Sequence, residues 1–184
     1  MDPKLFKSLW NAEENGPLIN FDIQAINNLK INELNKKFFS VAGLPETPAP
    51  YLEFISSKGL LFNLPTKLSM PEQFRDYWYL GTTAAGEIVS LIDGTGHIVA
   101  IDAQNNNKET YINSSIINFA EFLYEFSEMI LKAIEINGDD AFIDNNIPEQ
   151  LLLDTIKNLK TIDEAAMKDS TFWYNEFEDL VSSY

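Results

Sequence analysis

The chain has 184 residues, no cysteine, and 45% hydrophobic and 12% aromatic residues. That length and apolar content provide for one sizeable core and exclude a disordered chain, while the lack of cysteine excludes disulfides, thiolate metal sites and a cysteine nucleophile. The formal charge of −15, from 28 acidic and 13 basic groups, disfavours DNA, RNA and anionic lipid as partners and favours basic ones.

The charge is unevenly spread. Residues 1–108 hold 12 acidic and 9 basic groups, a balance of −3, and residues 109–184 hold 16 and 4, a balance of −12. On its own, such acidity is explained as well by solubility. Lys4 and Lys7 interrupt the apolar residues of MDPKLFKSLW, which is therefore not read as a signal peptide. No run reaches the roughly 18–20 apolar residues of a membrane span. A soluble, cytoplasmic protein is expected.

Asp2-Pro3 offers an N-cap and a first helical position, and Leu5, Phe6, Leu9 and Trp10 follow at helical spacing. Residues 21–42 read as helix in one or two pieces, with one stripe through Ile23, Ile26, Leu29, Ile31, Leu34, Phe38 and Val41. Gly43-Leu44-Pro45 ends it. From Tyr51 the period shifts towards two, and strands are expected near 51–56, 60–64, 76–82, 87–92, 97–102 and 109–112. Asp93-Gly94-Thr95-Gly96 supplies a hairpin turn, and Asn105-Asn106-Asn107 the exposed tip of the next connection.

Asn113-Ser114-Ser115 can cap a helix near 115–136 whose buried stripe is Ile116, Phe119, Leu123, Phe126, Ile130 and Ala133, widened by Phe122 and Met129. Two more helices are expected near 148–160 and 171–182, the second capped by Ser170. The fold class read from this order is α+β: a mainly antiparallel sheet of about five or six strands with one face against helices. One domain spanning 1–184 is expected, with a core near 30–136 and a helical extension near 137–184.

No chemistry stands out. Asp139, Asp140 and Asp144 lack the spacing and bidentate Glu of a calcium loop, and a polar interhelical loop is the simpler reading. His97 follows a turn glycine, and no G-x-S-x-G elbow accompanies the serines. Gly94-Thr95-Gly96 runs into a strand rather than a helix, so it is no phosphate cradle. No cofactor or metal is expected. A glycosidase-like carboxylate pair stays open, because nothing singles out two of the 28 acidic residues.

What remains is surface. Glu121, Glu125, Glu128, Lys132 and Glu135 recur every three or four residues, as a solvated helix face would, with Glu128–Lys132 as an i,i+4 pair. The sharper reading joins the four glutamates to Asp139, Asp140 and Asp144 as an acidic docking patch for a basic protein. Tyr77, Trp78 and Tyr79 are candidate aromatic anchors. Alternation places Tyr77 and Tyr79 on one face and Trp78 on the other, so at least one side belongs to a core.

Several segments together resemble the SUKH superfamily, which includes bacterial toxin-immunity proteins and yeast cell-wall-synthesis regulators. They are Phe38-Phe39 with Gly43-Leu44-Pro45, Leu80-Gly81 ending a strand, and Glu87-Ile88-Val89 through Asp93. Gly96-His97-Ile98-Val99 with Asp102 follows, then Tyr111-Ile112-Asn113-Ser114-Ser115 with Phe119. The resemblance covers about 30–136 and is nearest the bacterial immunity branch. It departs at Thr82-Thr83-Ala84-Ala85, where a more acidic or Gly-rich turn is expected.

The resemblance implies helices against a mainly antiparallel sheet and a non-enzymatic role. That role is neutralising a cognate toxin, often a nuclease, by direct binding. A regulatory scaffold of cell-wall synthesis is the alternative within the superfamily, and a small carboxylate hydrolase is the alternative outside it.

Overall fold

Each of the four N-terminal helices starts at a side-chain cap. The structure, a computed structural model, describes residues 1–54 and 61–181. Asp2 accepts from the Lys4 N–H (2.9 Å) at the start of α1 (Pro3–Leu9), which buries Phe6. After the short α2 (Ala12–Asn15), β1 (Leu18–Ile19) pairs antiparallel with β2 (Leu44–Pro45). Gly43 lies between them at φ 74°. A Cβ there would stand 1.8 Å from the Ile19 carbonyl oxygen, so only glycine fits.

The 21–42 segment is two helices, α3 (Ile23–Asn28) and α4 (Glu33–Val41). Leu29 is extended, and Asn32 starts the second helix by accepting from the Asn35 N–H at 2.8 Å. The break resets the helical phase, so the single stripe does not hold. Ile26, Leu29, Ile31 and Phe38 are buried, whereas Ile23 and Leu34 are exposed.

The main sheet has five antiparallel strands in the order β3-β4-β5-β6-β7. They are β3 (Leu52–Phe54), β4 (Tyr77–Thr83), β5 (Ile88–Ile92), β6 (Ile98–Asp102) and β7 (Lys108–Asn113). The end of the strand expected at 51–56 and the start of that expected at 60–64 lie outside the described residues. Residues 61–64 form no strand. Asn63 makes one bridge to Trp78, and α5 (Leu64–Leu68) begins at once, because Pro65 suits a first helical turn and cannot donate to a ladder.

Leu80-Gly81 sits inside β4 rather than at its end. A Cβ on Gly81 would lie 2.0 Å from the Glu53 carbonyl oxygen, so glycine here permits the close approach of β3, beside a register shift between Tyr79 and Gly81.

Period-two alternation divides the sheet into two apolar faces. Leu80, Val89, Leu91, Ile98 and Ala100 face the large core, which the helices cover. Tyr77, Tyr79, Ile88, Val99 and Ile101 face a smaller cluster closed by Leu64 of α5 and Phe74. Both faces are thus covered in part, where one was expected.

Ser115 accepts from the Asn118 N–H (3.1 Å) and starts α6 (Ile116–Asn137). The expected α6 stripe is buried, with Ile130 half-buried. Beyond it, α7 (Glu149–Ile162) packs on α6. The cap of α8 (Phe172–Val181) is Thr171, whose Oγ1 accepts from the Tyr174 N–H (3.4 Å). Ser170 instead has φ 66°, and its hydroxyl bonds the Asp169 carboxylate. The architecture is α+β, as the element order implied.

Candidate protein-binding surface

The acidic face of α6 is not uniformly solvated. The Met1 ammonium pairs with Glu121, and both are largely covered. Asn158 of α7 donates to Glu125 (3.3 Å). Glu125 and Glu128 are half-buried beside Tyr124. The Tyr124 phenol is pushed up by burial and then by the charges of Glu128 and Glu125. Glu128 and Lys132 form no ion pair in the structure. Glu135, Asp139, Asp140 and Asp144 are exposed. The accessible acidity therefore lies at the C-terminal end of α6 and in the following loop, not along the whole helix.

That loop is built by its own backbone. Gly138 ends α6 at φ 94°, and its N–H bonds the Ile134 carbonyl (2.8 Å). The Asp144 N–H donates to the Asp140 carbonyl (2.8 Å), and Asn137 Nδ2 donates to the Asn146 carbonyl (2.6 Å). The loop buries Ala141 and Ile147 and leaves Ile143 75% exposed.

The aromatic trio divides as alternation requires. Tyr77 meets Phe74 edge-on (5.1 Å between centroids), and its hydroxyl donates to Glu109 at 3.0 Å. Burial pushes the Tyr77 phenol up to about 12, helped by Glu109 and Asp76. Tyr79 stacks on Phe62 (5.0 Å), and Trp78 packs on the large core. All three are half-buried and occupied by neighbours within the chain. The structure does not bring them together with the acidic loop into one patch.

Residues that sequence reasoning did not single out line a groove beside that loop. Its walls are the turn before β3 and the loop after α6, and its volume is about 550 Å³. The exposed Tyr51 and Ile143 line it together with the buried Leu52, the half-buried Ile130 and Phe142, and Glu14. Tyr51 is 64% exposed and adopts φ 55°. Its ring lies 6.1 Å from that of Phe142, which meets the core residue Phe126 edge-on at 5.8 Å. Sequence periodicity takes Tyr51 only as the start of a strand, and the turn-forming prolines just before it, Pro48 and Pro50, are a sequence signal that could have found it.

On the far side of Tyr51, a cavity of about 260 Å³ contains Glu87 and Glu176. Thr83 Oγ1 donates to Glu87 (3.2 Å). Burial, with the charges of Asp179 and Glu87, raises the Glu176 carboxyl from its ordinary 4.5 to about 7. This partly buried pair joins residues far apart in the sequence, which is why composition could not select it.

Among the described residues no cluster of three His, Asp or Glu side chains is placed to hold a metal ion, and no helix is long and apolar enough to cross a membrane. His97 meets Tyr111 edge-on at 5.5 Å, beside the β5–β6 hairpin.

No curated protein and no solved structure matches the chain. The family model described as SUKH-4 immunity protein matches residues 7–179, so the match extends past the resemblance read at 30–136 and takes in α7 and nearly all of α8. With almost its whole length matched, the chain belongs to the SUKH-4 immunity protein family, within the SUKH superfamily.

Proposed function

We propose that this chain is a non-enzymatic immunity protein that neutralises one cognate bacterial toxin by binding it directly in the cytoplasm. The observation that carries this reading is the family match over residues 7–179. The charge supports a basic toxin domain as the partner, of the kind found in nucleases. The formal charge is −15, and Glu135, Asp139, Asp140 and Asp144 are exposed on one connected stretch of chain. An acidic surface attracts a cationic partner over distances of about a Debye length and speeds encounter. Binding over a toxin's own cationic substrate site would also exclude its substrate.

Co-expression tests this directly. Each neighbouring gene product that arrests growth is expressed with and without this chain. Rescue by the intact chain from one of them is expected. Failure to rescue cells from every such product would remove the reading.

A second reading, carboxylate catalysis, is favoured by one observation: Glu176 and Glu87 share a cavity, and Glu176 is held towards its protonated form. The cavity is small for a substrate pocket, which typically measures ~300–1,000 Å³. Glu176→Gln separates the two readings. Protection should survive the substitution if the chain acts by binding and disappear if Glu176 is a catalytic acid.

A further inference from the structure

We propose that the groove between the turn before β3 and the loop after α6 is the seat for the toxin, and that it takes an apolar side chain flanked by Lys or Arg. The proposal rests on the immunity reading above and assigns it a place on the molecule. Tyr51 and Ile143 both line the groove, and they are 64% and 75% exposed. Large apolar side chains presented together at a concave site mark interaction surfaces more often than isolated ones do.

Tyr51 carries a second signal. Its φ of 55° is a left-handed conformation that bulky residues rarely adopt. The fold holds it there with the ring projecting over the groove instead of into the core, and backbone outliers of this kind cluster at functional sites. Phe142 forms a firm wall, because its ring abuts Phe126 within the core. An aromatic ring with few rotatable bonds, set against a supported wall, is the arrangement from which interface hot spots are made.

Charge selects the occupant. Glu14 lines the groove, no lysine or arginine is among the described residues that line it, and the loop that supplies Phe142 and Ile143 also bears the exposed Asp139, Asp140 and Asp144. An apolar floor with a rim of one sign accepts a cationic-apolar segment and rejects an acidic one. A second apolar groove among the described residues, between α7 and α8, has both Lys160 and Glu178 on its lining and makes no such selection.

The test uses the intact chain and the neighbouring gene product that arrests growth when expressed alone. Tyr51→Gly removes the ring while suiting the left-handed backbone, and a thermal melt of the variant separates weaker binding from unfolding. Ile143→Asp alters a second exposed side chain of the lining, and Leu153→Asp alters an exposed position on α7 as a control. By calorimetry, Tyr51→Gly and Ile143→Asp are each expected to raise Kd by at least about tenfold, with Leu153→Asp within about twofold. Tight wild-type binding that both groove variants retain overturns the groove assignment and leaves the immunity reading intact. Absence of wild-type binding overturns both. A concentration-dependent dimer that Tyr51→Gly dissociates would give the groove to a second copy of the chain and overturn the assignment.

Discussion

The indole N–H of Trp173 donates to Oδ1 of Asn113 at 2.9 Å, with both side chains fully buried. Asn113 Nδ2 donates in turn to the buried Asp163 (3.3 Å), and the same carboxylate oxygen accepts from the Ser114 N–H at 2.8 Å. The network ties the β7–α6 junction to the segment after α7 and to α8. Trp173 also packs its ring against Phe122 and Phe126 of α6. The C-terminal helices are thus bonded into the core.

Asn113→Ala leaves the Trp173 N–H without its acceptor and removes a donor from Asp163. A loss of about 3 kcal/mol is expected, since a buried unsatisfied polar group costs ~1–3 kcal/mol and the network loses two bonds. Denaturant unfolding followed by tryptophan fluorescence and by far-UV circular dichroism measures it. The two signals should change together, as the cross-linking of sheet and C-terminal helices requires. Separate transitions would show that α7 and α8 unfold on their own.

Two glycines should behave differently on mutation to alanine. At Gly81 a Cβ would sit 2.0 Å from the Glu53 carbonyl oxygen, and backbone cannot swing aside as a side chain can. Gly81→Ala is expected to separate β3 from β4 and cost more than about 3 kcal/mol. Gly86 has open space around its would-be Cβ and meets only the penalty of φ 81°. Gly86→Ala should cost about 1 kcal/mol. Thermal melts of the two variants, compared with wild type, test the contrast.

Glu176 makes stability depend on pH in a defined direction. Its folded value of about 7 lies above its ordinary 4.5 because burial comes first and Asp179 and Glu87 add to it. Below about 4.5 the group is protonated in folded and unfolded chains alike. As pH rises from there to about 7, the unfolded chain ionises first and stability falls, and above about 7 the loss is complete. Glu176→Gln should therefore stabilise the protein at pH 8 by about 1–2 kcal/mol, after allowance for solvent screening, and leave it nearly unchanged at pH 4. Equal effects at both pH values would show that the carboxyl does not titrate this way.

Long-range charge should govern the encounter with the toxin. Replacing Asp139, Asp140 and Asp144 together by Lys is expected to slow association about tenfold at low salt and to leave dissociation nearly unchanged. Stopped-flow rates across ionic strengths check this. A wild-type association rate insensitive to salt would rule out electrostatic steering.

Legibility in the sequence followed the range of the forces involved. The α6 stripe from Ile116 to Ala133 and the Asp93–Gly96 hairpin were readable because periodicity and turn chemistry act within a few residues. The division of Tyr77 and Tyr79 from Trp78 followed from strand alternation alone. Ile23 and Leu34 misled because the extended Leu29 breaks the helix and resets its phase. Residues 61–64 misled because apolar content suggested a strand where Pro65 favours a helix start.

The site was less legible because it depends on tertiary contacts. Glu121 and Glu125 look solvated on a helical wheel, but the chain terminus reaches one and Asn158 the other. Tyr51 joins Phe142 and Ile143 only when the sheet edge meets the loop after α6. The carboxylate pair of Glu87 and Glu176 likewise forms only when α8 docks beside the β4–β5 turn.

Titration of the purified toxin's activity with this chain tests the central claim most directly. Direct neutralisation predicts a linear fall that reaches full inhibition at one equivalent and does not deepen with time. Complete, progressive inactivation at a small fraction of an equivalent would mean turnover, and would contradict neutralisation by binding.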